Sequence, residues 1–312
     1  MYKAFLYDLS NLGFIYSNNY SSHISKNYKD YLNIYTEMKF YSPSDSKHNI
    51  LNKNITKIRS HYSSNKTYDN ILLIINYNTI GFENLNDYLL TIYKNVFNNI
   101  IFISPGNFSD NNTLSCNDSQ DGFYSYICLK KIYNKYPKFK GYLFINDDDY
   151  VKTWELDNFD NNIPWFYTFN KIKQNWNNAY NCSPNIDDII NNNLLWKSNL
   201  IKFMGYYEIP TTIADFYYLP NSILPLYFEI IEKMYNSKIF LECAVPTSMG
   251  IILYKKYQLI FFRGLWGSER KEAINYLKKA FDQITVHPIK FSQIENKIKV
   301  ELYIFFTNAK EY

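Results

Sequence analysis

An α/β fold built on a mostly parallel sheet is predicted by three features of this chain. Short apolar runs rich in branched residues recur, amphipathic stretches lie between them, and Pro, Gly or polar breakers separate the two. The runs are Ile71–Asn76 (ILLIIN), Ile100–Ser104 (IIFIS) and Tyr142–Ile145 (YLFI). Each is too short for a buried helix and fits a strand covered on both faces. Between the first two, Leu85–Phe97 places Leu85, Leu89, Ile92, Tyr93 and Val96 at helical spacings of three and four. Pro105-Gly106 ends the second run, and a polar loop follows over Asn107–Asp121. The amphipathic segment Tyr124–Tyr136 then leads through Pro137 to the third run. Strands that alternate with helices pair in parallel under helices on both faces, and ligands of such sheets bind at the carboxyl ends of strands.

The 312 residues carry 33 basic and 29 acidic side chains, a formal net charge of +4. The lysines are dispersed with no basic stripe, so nucleic acid is not an expected partner. A content of 46% hydrophobic and 20% charged residues supports a sizeable core and excludes wholesale disorder. The 32 Tyr and 23 Phe, with abundant Asn, Ile and Lys, match the drift of an AT-rich coding sequence, so a single aromatic or Asn carries little functional information. The four cysteines, Cys116, Cys128, Cys182 and Cys243, form no CxxC pair and have no His doublet nearby. Their spacing predicts neither a zinc knuckle nor a disulfide framework, and they read as buried or free thiols.

The N-terminus has neither the apolar length nor the cleavage site of a secretory signal, and no window approaches the ~18 apolar residues of a membrane span. The expectation is a soluble chain, either cytoplasmic or, with an anchor elsewhere, in the ER or Golgi lumen. Six sequons, at Asn19, Asn54, Asn65, Asn107, Asn111 and Asn117, suit the lumen but arise readily in an Asn-rich chain. Residues 1–66 show no sustained period and read as a peripheral region, with a strand at Ala4–Tyr7 and a helix at Tyr28–Met38. Asp8 ends that first strand, yet the second carboxylate of Asp-based phosphoryl transfer is missing, since Ser10 stands in its place. Residues 67–312 form the expected catalytic domain, divided into halves at 67–160 and 161–312.

At the end of the third run stand Asn146-Asp147-Asp148-Asp149-Tyr150. Three adjacent carboxylates repel one another, and at a strand end they call for a compensating cation; hard oxygen ligands suit Mg²⁺ or Mn²⁺. On an extended chain, Asp147 and Asp149 share one side and Asp148 takes the other. The plainer alternative is a solvated turn, which Asp favours.

ILLIIN, IIFIS, a helix and then GYLFINDDDYV resemble, in order and spacing over about residues 69–160, the nucleotide-sugar half of GT-A glycosyltransferases. The resemblance implies a Rossmann-like α/β domain whose DxD motif holds Mn²⁺ or Mg²⁺ against a nucleoside diphosphate sugar, followed by an acceptor half. Carried over, Asp149 is the metal ligand, Asp147 touches the metal or the donor ribose and sugar, and Asp148 is the variable middle position. Asn76, Tyr77 and Asn78 fall where that family seats base and ribose. A hydroxyl acceptor completes the implied substrates; oligomeric state has no sequence signal.

In the second half, Trp154, Trp165, Phe166, Tyr167 and Trp176 crowd the segment after the acidic motif. They suit core packing first and a sugar platform second. Asp215, in IADFYYLP, and Glu242, in IFLECAVPT, sit in apolar, strand-like settings where an unpaired carboxylate is costly. An inverting transfer needs a carboxylate base downstream of DxD; Glu242 is the first choice and Asp215 the second, with a helix cap or buried ion pair as the structural alternative for each. His287 and Lys290, in VHPIK, resemble the C-terminal His ligand and diphosphate-binding base of several GT-A families. Arg263 and Arg270 are alternative phosphate contacts, on a stretch where Gly264, Trp266 and Gly267 mark a candidate closing loop. Two other classes remain open. A nucleotidyltransferase is disfavoured because Ile71–Phe82 has one Gly and no Lys or Arg. A catalytically silent carbohydrate-binding or scaffold protein would keep the same fold.

Overall fold

The computed structural model describes residues 67–80, 85–106, 112–151, 153, 156, 159–167, 170–171, 183–212, 214–252, 258–260, 262–264 and 285–287. For Tyr167, for 170–171 and 183–184 and for the last three segments it describes the backbone alone. All of these lie in the compact unit Ile50–Thr307. The elements expected before residue 67, Asp8 included, lie outside the described residues.

The first apolar run forms β1 (Ile71–Asn76), wholly buried. Helix α1 (Asn86–Tyr93) follows, then β2 (Asn99–Ser104). The helix is shorter than its apolar stripe, because Val96 and Phe97 both donate to the Tyr93 carbonyl and tighten the chain into a turn. The polar loop contains a short strand the pattern did not show, β3 (Thr113–Ser115). Helix α2 (Cys128–Lys135) leads to β4 (Gly141–Asn146), also wholly buried. The chain then makes β5 (Tyr150–Val151), β6 (Trp165–Tyr167) and β7 (Asn170–Lys171).

Helices α3 (Ser183–Asn191) and α4 (Leu194–Met204) come next. The α4 helix is bounded as its sequence dictates: the Asn193 side chain accepts from the Trp196 amide, and Gly205 closes the last turn at φ 82°. Strands β8 (Pro210–Thr211) and β9 (Phe216–Pro220) precede α5 (Leu224–Asn236), which tolerates Pro225 in its first turn, where no amide donor is needed. Helix α6 (Leu241–Ile252) and strands β10 (Gln258–Ile260), β11 (Phe262–Gly264) and β12 (Thr285–His287) complete the described chain.

The main sheet has the order β10-β6-β9-β4-β1-β2-β3. Pairings are parallel except those of β9 with β4 and with β6, so six strands run one way and β9 alone opposes them. This is the mostly parallel α/β sheet the sequence predicts. Leu72, Ile74, Ile101, Ile103, Tyr142 and Phe144 face a core shared with α2 to α6, while the alternate residues of β1 and β4 are equally buried on the other face. Burying one such aliphatic side chain contributes about 1.5–3 kcal/mol, so two six-residue strands with no exposed position anchor the domain. Gly141 is obligatory in that packing: a Cβ there would lie 2.0 Å from the Tyr218 hydroxyl oxygen. Trp165 stacks on Tyr218 at 4.0 Å and is fully buried, as is Phe166, so these two aromatics serve the core. Trp154 and Trp176, and the Tyr167 side chain, lie outside the described residues.

Two expectations are corrected. The segment around Glu242 is not strand-like but the start of α6, because Leu241, Val245 and Met249 recur at helical spacing and Pro246 falls within the helix. Three of the four cysteines are not thiols: Cys116 and Cys128 form a disulfide, and Cys243 is disulfide-bonded as well, while Cys182 lies outside the described residues. Sequence spacing could not show this, since the bond depends on β3 and the start of α2 meeting in space. Among the described residues no helix is long and apolar enough to cross a membrane.

Cross-linking two cysteines twelve residues apart restricts the unfolded chain. Replacing Cys116 and Cys128 together by Ala is therefore expected to lower unfolding free energy by about 2–4 kcal/mol. Urea titration of both forms under non-reducing conditions checks this, and coincident transitions would show that the cross-link contributes nothing.

Candidate functional site

The parallel register of β1 and β4 sets Asn76 level with Asn146, the last residue of each strand. The Asn76 Nδ2 donates to Asn146 Oδ1 at 2.9 Å and to Asn78 Oδ1 at 2.6 Å. On the opposite flank the antiparallel β9 brings up Asp215, just before its first residue. The Asn146 Nδ2 donates to Asp215 Oδ1, and the Asn146 amide donates to the Asp215 carbonyl at 2.9 Å. Three neighbouring strands thus meet at one polar chain, Asn78–Asn76–Asn146–Asp215, in which Asn76 and Asn146 are buried.

The acidic motif leaves this edge as a turn. The Asp147 amide donates to the Asn76 carbonyl at 2.9 Å, continuing the ladder by one residue, and the Asp149 amide then closes back on the Asn146 carbonyl at 3.0 Å. Asp147 and Asp148 occupy the two central positions of a four-residue turn, so the side-by-side placement expected of Asp147 and Asp149 on an extended strand does not hold. The propensity of Asp for turns prevails over continuation of the strand. The turn is not the solvated one of the plainer alternative, for Asp148 is 2% and Asp149 0% exposed, with Asp147 half-buried.

Behind the turn stands Tyr93 of α1. Its hydroxyl donates to the Asp149 carbonyl and accepts from the Val151 amide, each at 3.3 Å. Burial, and to a lesser degree the Asp149 charge, hold this phenol well above its ordinary range, against the opposing pull of the Val151 amide. It stays protonated and can play both parts.

After the turn, β5 joins a second sheet of order β11-β12-β5. Val286 pairs with Tyr150 and Thr285 with Val151, antiparallel, so the next register step sets the His287 backbone level with Asp149. Arg263 pairs with Val286, and Gly264 with His287. The fold therefore carries β12, which ends at His287, to the strand that leaves the acidic motif, with the Arg263 backbone one strand farther out. Their side chains, together with Lys290, Arg270, Trp266 and Gly267, lie outside the described residues.

Asp215 is brought to the acidic turn. Glu242 is half-buried in the first turn of α6, where an acidic residue complements the helix dipole. It is tied to the same region through its backbone. Pro246 has no amide to donate to the Glu242 carbonyl, and the Thr212 amide, on the segment leading to Asp215, takes that acceptor at 3.2 Å. Tyr77 turns inward: its buried ring stacks on Phe102, and its hydroxyl donates to Asn86 Oδ1 at 2.8 Å. Asn78 is the half-buried residue of that loop, and its carbonyl accepts from the Asp121 amide at 2.8 Å. Asp121 and Gly122 both adopt positive φ, 58° and 75°, and a Cβ on Gly122 would press on the Asn78 side chain at 3.1 Å. This tight turn, a short step from Cys116, supports the β1 end of the site.

Asn146 and Tyr93 were not singled out from sequence. For Asn146 a signal existed, since two wholly apolar strands each end in Asn, a costly residue to bury without partners. For Tyr93 there was none, because its helical spacing marks it only as core.

The donors near the turn are hard oxygens of the kind Mg²⁺ and Mn²⁺ accept, including buried Asn76 Oδ1, which has no hydrogen-bond partner among the described residues. Also among the described residues, no three His, Cys, Asp or Glu side chains form a group that could hold a metal ion.

No protein-family model and no curated protein matches the chain. Among solved structures it is similar to core-mannan synthase A (CmsA/Ktr4) from Aspergillus fumigatus in its Mn/GDP form. That match has TM-score 0.37 and 12% identity, covering 62% of this chain and 74% of that one. It is also similar to the mannosyltransferase Ktr4p from S. cerevisiae in complex with GDP, with TM-score 0.35 and 10% identity over 73% and 82% of the respective chains. Likeness at these scores assigns no role to any residue.

Tyr93→Phe keeps the ring and removes the bridge between Asp149 and Val151. It is expected to cost about 1–3 kcal/mol of stability, the penalty for stranding buried backbone groups. Equilibrium unfolding in urea measures it, and a loss near zero would show that the hydroxyl does not hold the turn.

Proposed function

We propose that the chain is a glycosyltransferase that moves a sugar from a nucleoside diphosphate sugar to a hydroxyl acceptor with the help of a divalent cation. The observation that carries this reading is the buried acidic turn at the carboxyl edge of a parallel sheet, linked through Asn146 to a further carboxylate, Asp215. Sheets of this kind bind ligands at that edge.

Asp147 and Asp149 would hold Mn²⁺ or Mg²⁺, with His287 as the third ligand that the register of β12 favours. The cation, when bound, neutralises charge on the departing diphosphate. Arg263 and Lys290 supply further positive charge for the phosphates, Asn76 and Asn78 border the base and ribose, and Asp148 lines the donor site. The acceptor oxygen attacks the anomeric carbon while the bond from that carbon to the diphosphate oxygen breaks, and the diphosphate leaves with the electron pair. Glu242 or Asp215 takes the hydroxyl proton. Placement favours Asp215, which sits beside the acidic turn itself. The disulfide-bonded cysteines favour an oxidising, lumenal compartment over the reducing cytosol.

Calorimetry with GDP, the nucleotide both similar structures hold, and then with a panel of sugar nucleotides, tests the reading with and without Mn²⁺. Binding should require the cation and reverse on chelation. Asp149→Ala should weaken it by more than about 100-fold, beyond the range typical of groups that only support a ligand. Absence of binding under every condition would instead identify a catalytically silent protein, and unaltered affinity in Asp149→Ala would remove the metal assignment.

A further inference from the structure

We propose that Asn146 is a positioning residue that binds the acidic turn and Asp215 into one rigid unit. Every polar group of this residue is committed. Its side-chain carbonyl accepts from Asn76 at 2.9 Å and its side-chain amide donates to Asp215. Its backbone amide donates to Asp215 at 2.9 Å, and its backbone carbonyl accepts from Asp149 at 3.0 Å, closing the turn. The residue is 1% exposed, so water cannot replace any of these partners.

The chemistry admits few alternatives at this position. The group facing Asp215 must donate, because an ionised carboxylate only accepts, and the group facing Asn76 must accept, because the Asn76 amide is what points there. Asn satisfies both at the reach a strand end allows. Asp in its place would set two carboxylates against each other, and a smaller residue would leave buried groups unmet. The consequence for cation binding rests on the function proposed above; the mechanical role does not.

Two readouts separate them: hydrogen exchange at the amides of Asp147 and Asp149, and affinity for Mn²⁺ alone by electron paramagnetic resonance. Asn146→Asp should speed exchange at both amides by about tenfold or more, with the interior of β1 unchanged. The double variant Asn146→Asp with Asp215→Asn exchanges acid and amide, so a donor again meets an acceptor, and protection should return. Asn146→Ala, which adds no charge, should show the same local loss of protection and weaken Mn²⁺ by a similar factor, and it serves if the acidic variant does not fold. Native protection in the folded single variants, or a double variant no better protected than Asn146→Asp alone, would overturn the proposal. A wild-type chain that binds no Mn²⁺ removes the cation reading alone, and the exchange data then decide the role of Asn146.

Discussion

The in-register parallel pairing of β1 with β4 is the constraint from which the rest of the site follows. Both strands are buried along their whole length, so neither can present a polar side chain until it reaches the carboxyl edge. There the register makes Asn76 and Asn146 neighbours, and two amides placed level can satisfy each other. A slip of one residue would turn one of them to the opposite face and break the buried bond between the two amides. The antiparallel β9 then contributes Asp215 from the other side, because a strand that runs against its neighbours starts where they end.

Aromatic bulk stabilises this arrangement without taking part in its chemistry. Phe144 and Tyr217 stack at 4.8 Å across β4 and β9, and Trp165 covers Tyr218 on the adjoining strand. Burial holds the Tyr217 phenol well above its ordinary range, with the neighbouring Tyr227 reinforcing the shift. Such phenols stay neutral and act as large apolar groups. Many aromatics among the described residues serve packing, Trp165 and Phe166 after the acidic motif included.

Around the acidic turn the fold supplies supports of several kinds. Tyr93 bridges its exit from behind, Asn146 ties its entry, and the disulfide at Cys116 lies close to the positive-φ pair that buttresses Asn78. Under the proposed function preorganisation of this sort matters, since carboxylates free to separate would relax away from one another. Pro246 adds a less direct support, freeing a carbonyl that then holds the segment leading to Asp215.

Sequence alone determined the alternation of strands and helices in the first half and the location of the acidic motif at a strand end. Both are local: apolar periodicity reports burial, and three acids after a buried run report where the burial stops. It misjudged the form of that motif and of the Glu242 segment, where turn propensity and helical spacing competed with a strand pattern over few residues. What only tertiary structure decided are the partnerships between distant residues, Asn146 with Asn76 and Asp215, Tyr93 with Asp149, Cys116 with Cys128, and the backbone of Thr285 and Val286 with the strand after the acidic turn. No local pattern encodes them, because each depends on which strands become neighbours and in what register, a choice made by burying the whole sheet at once.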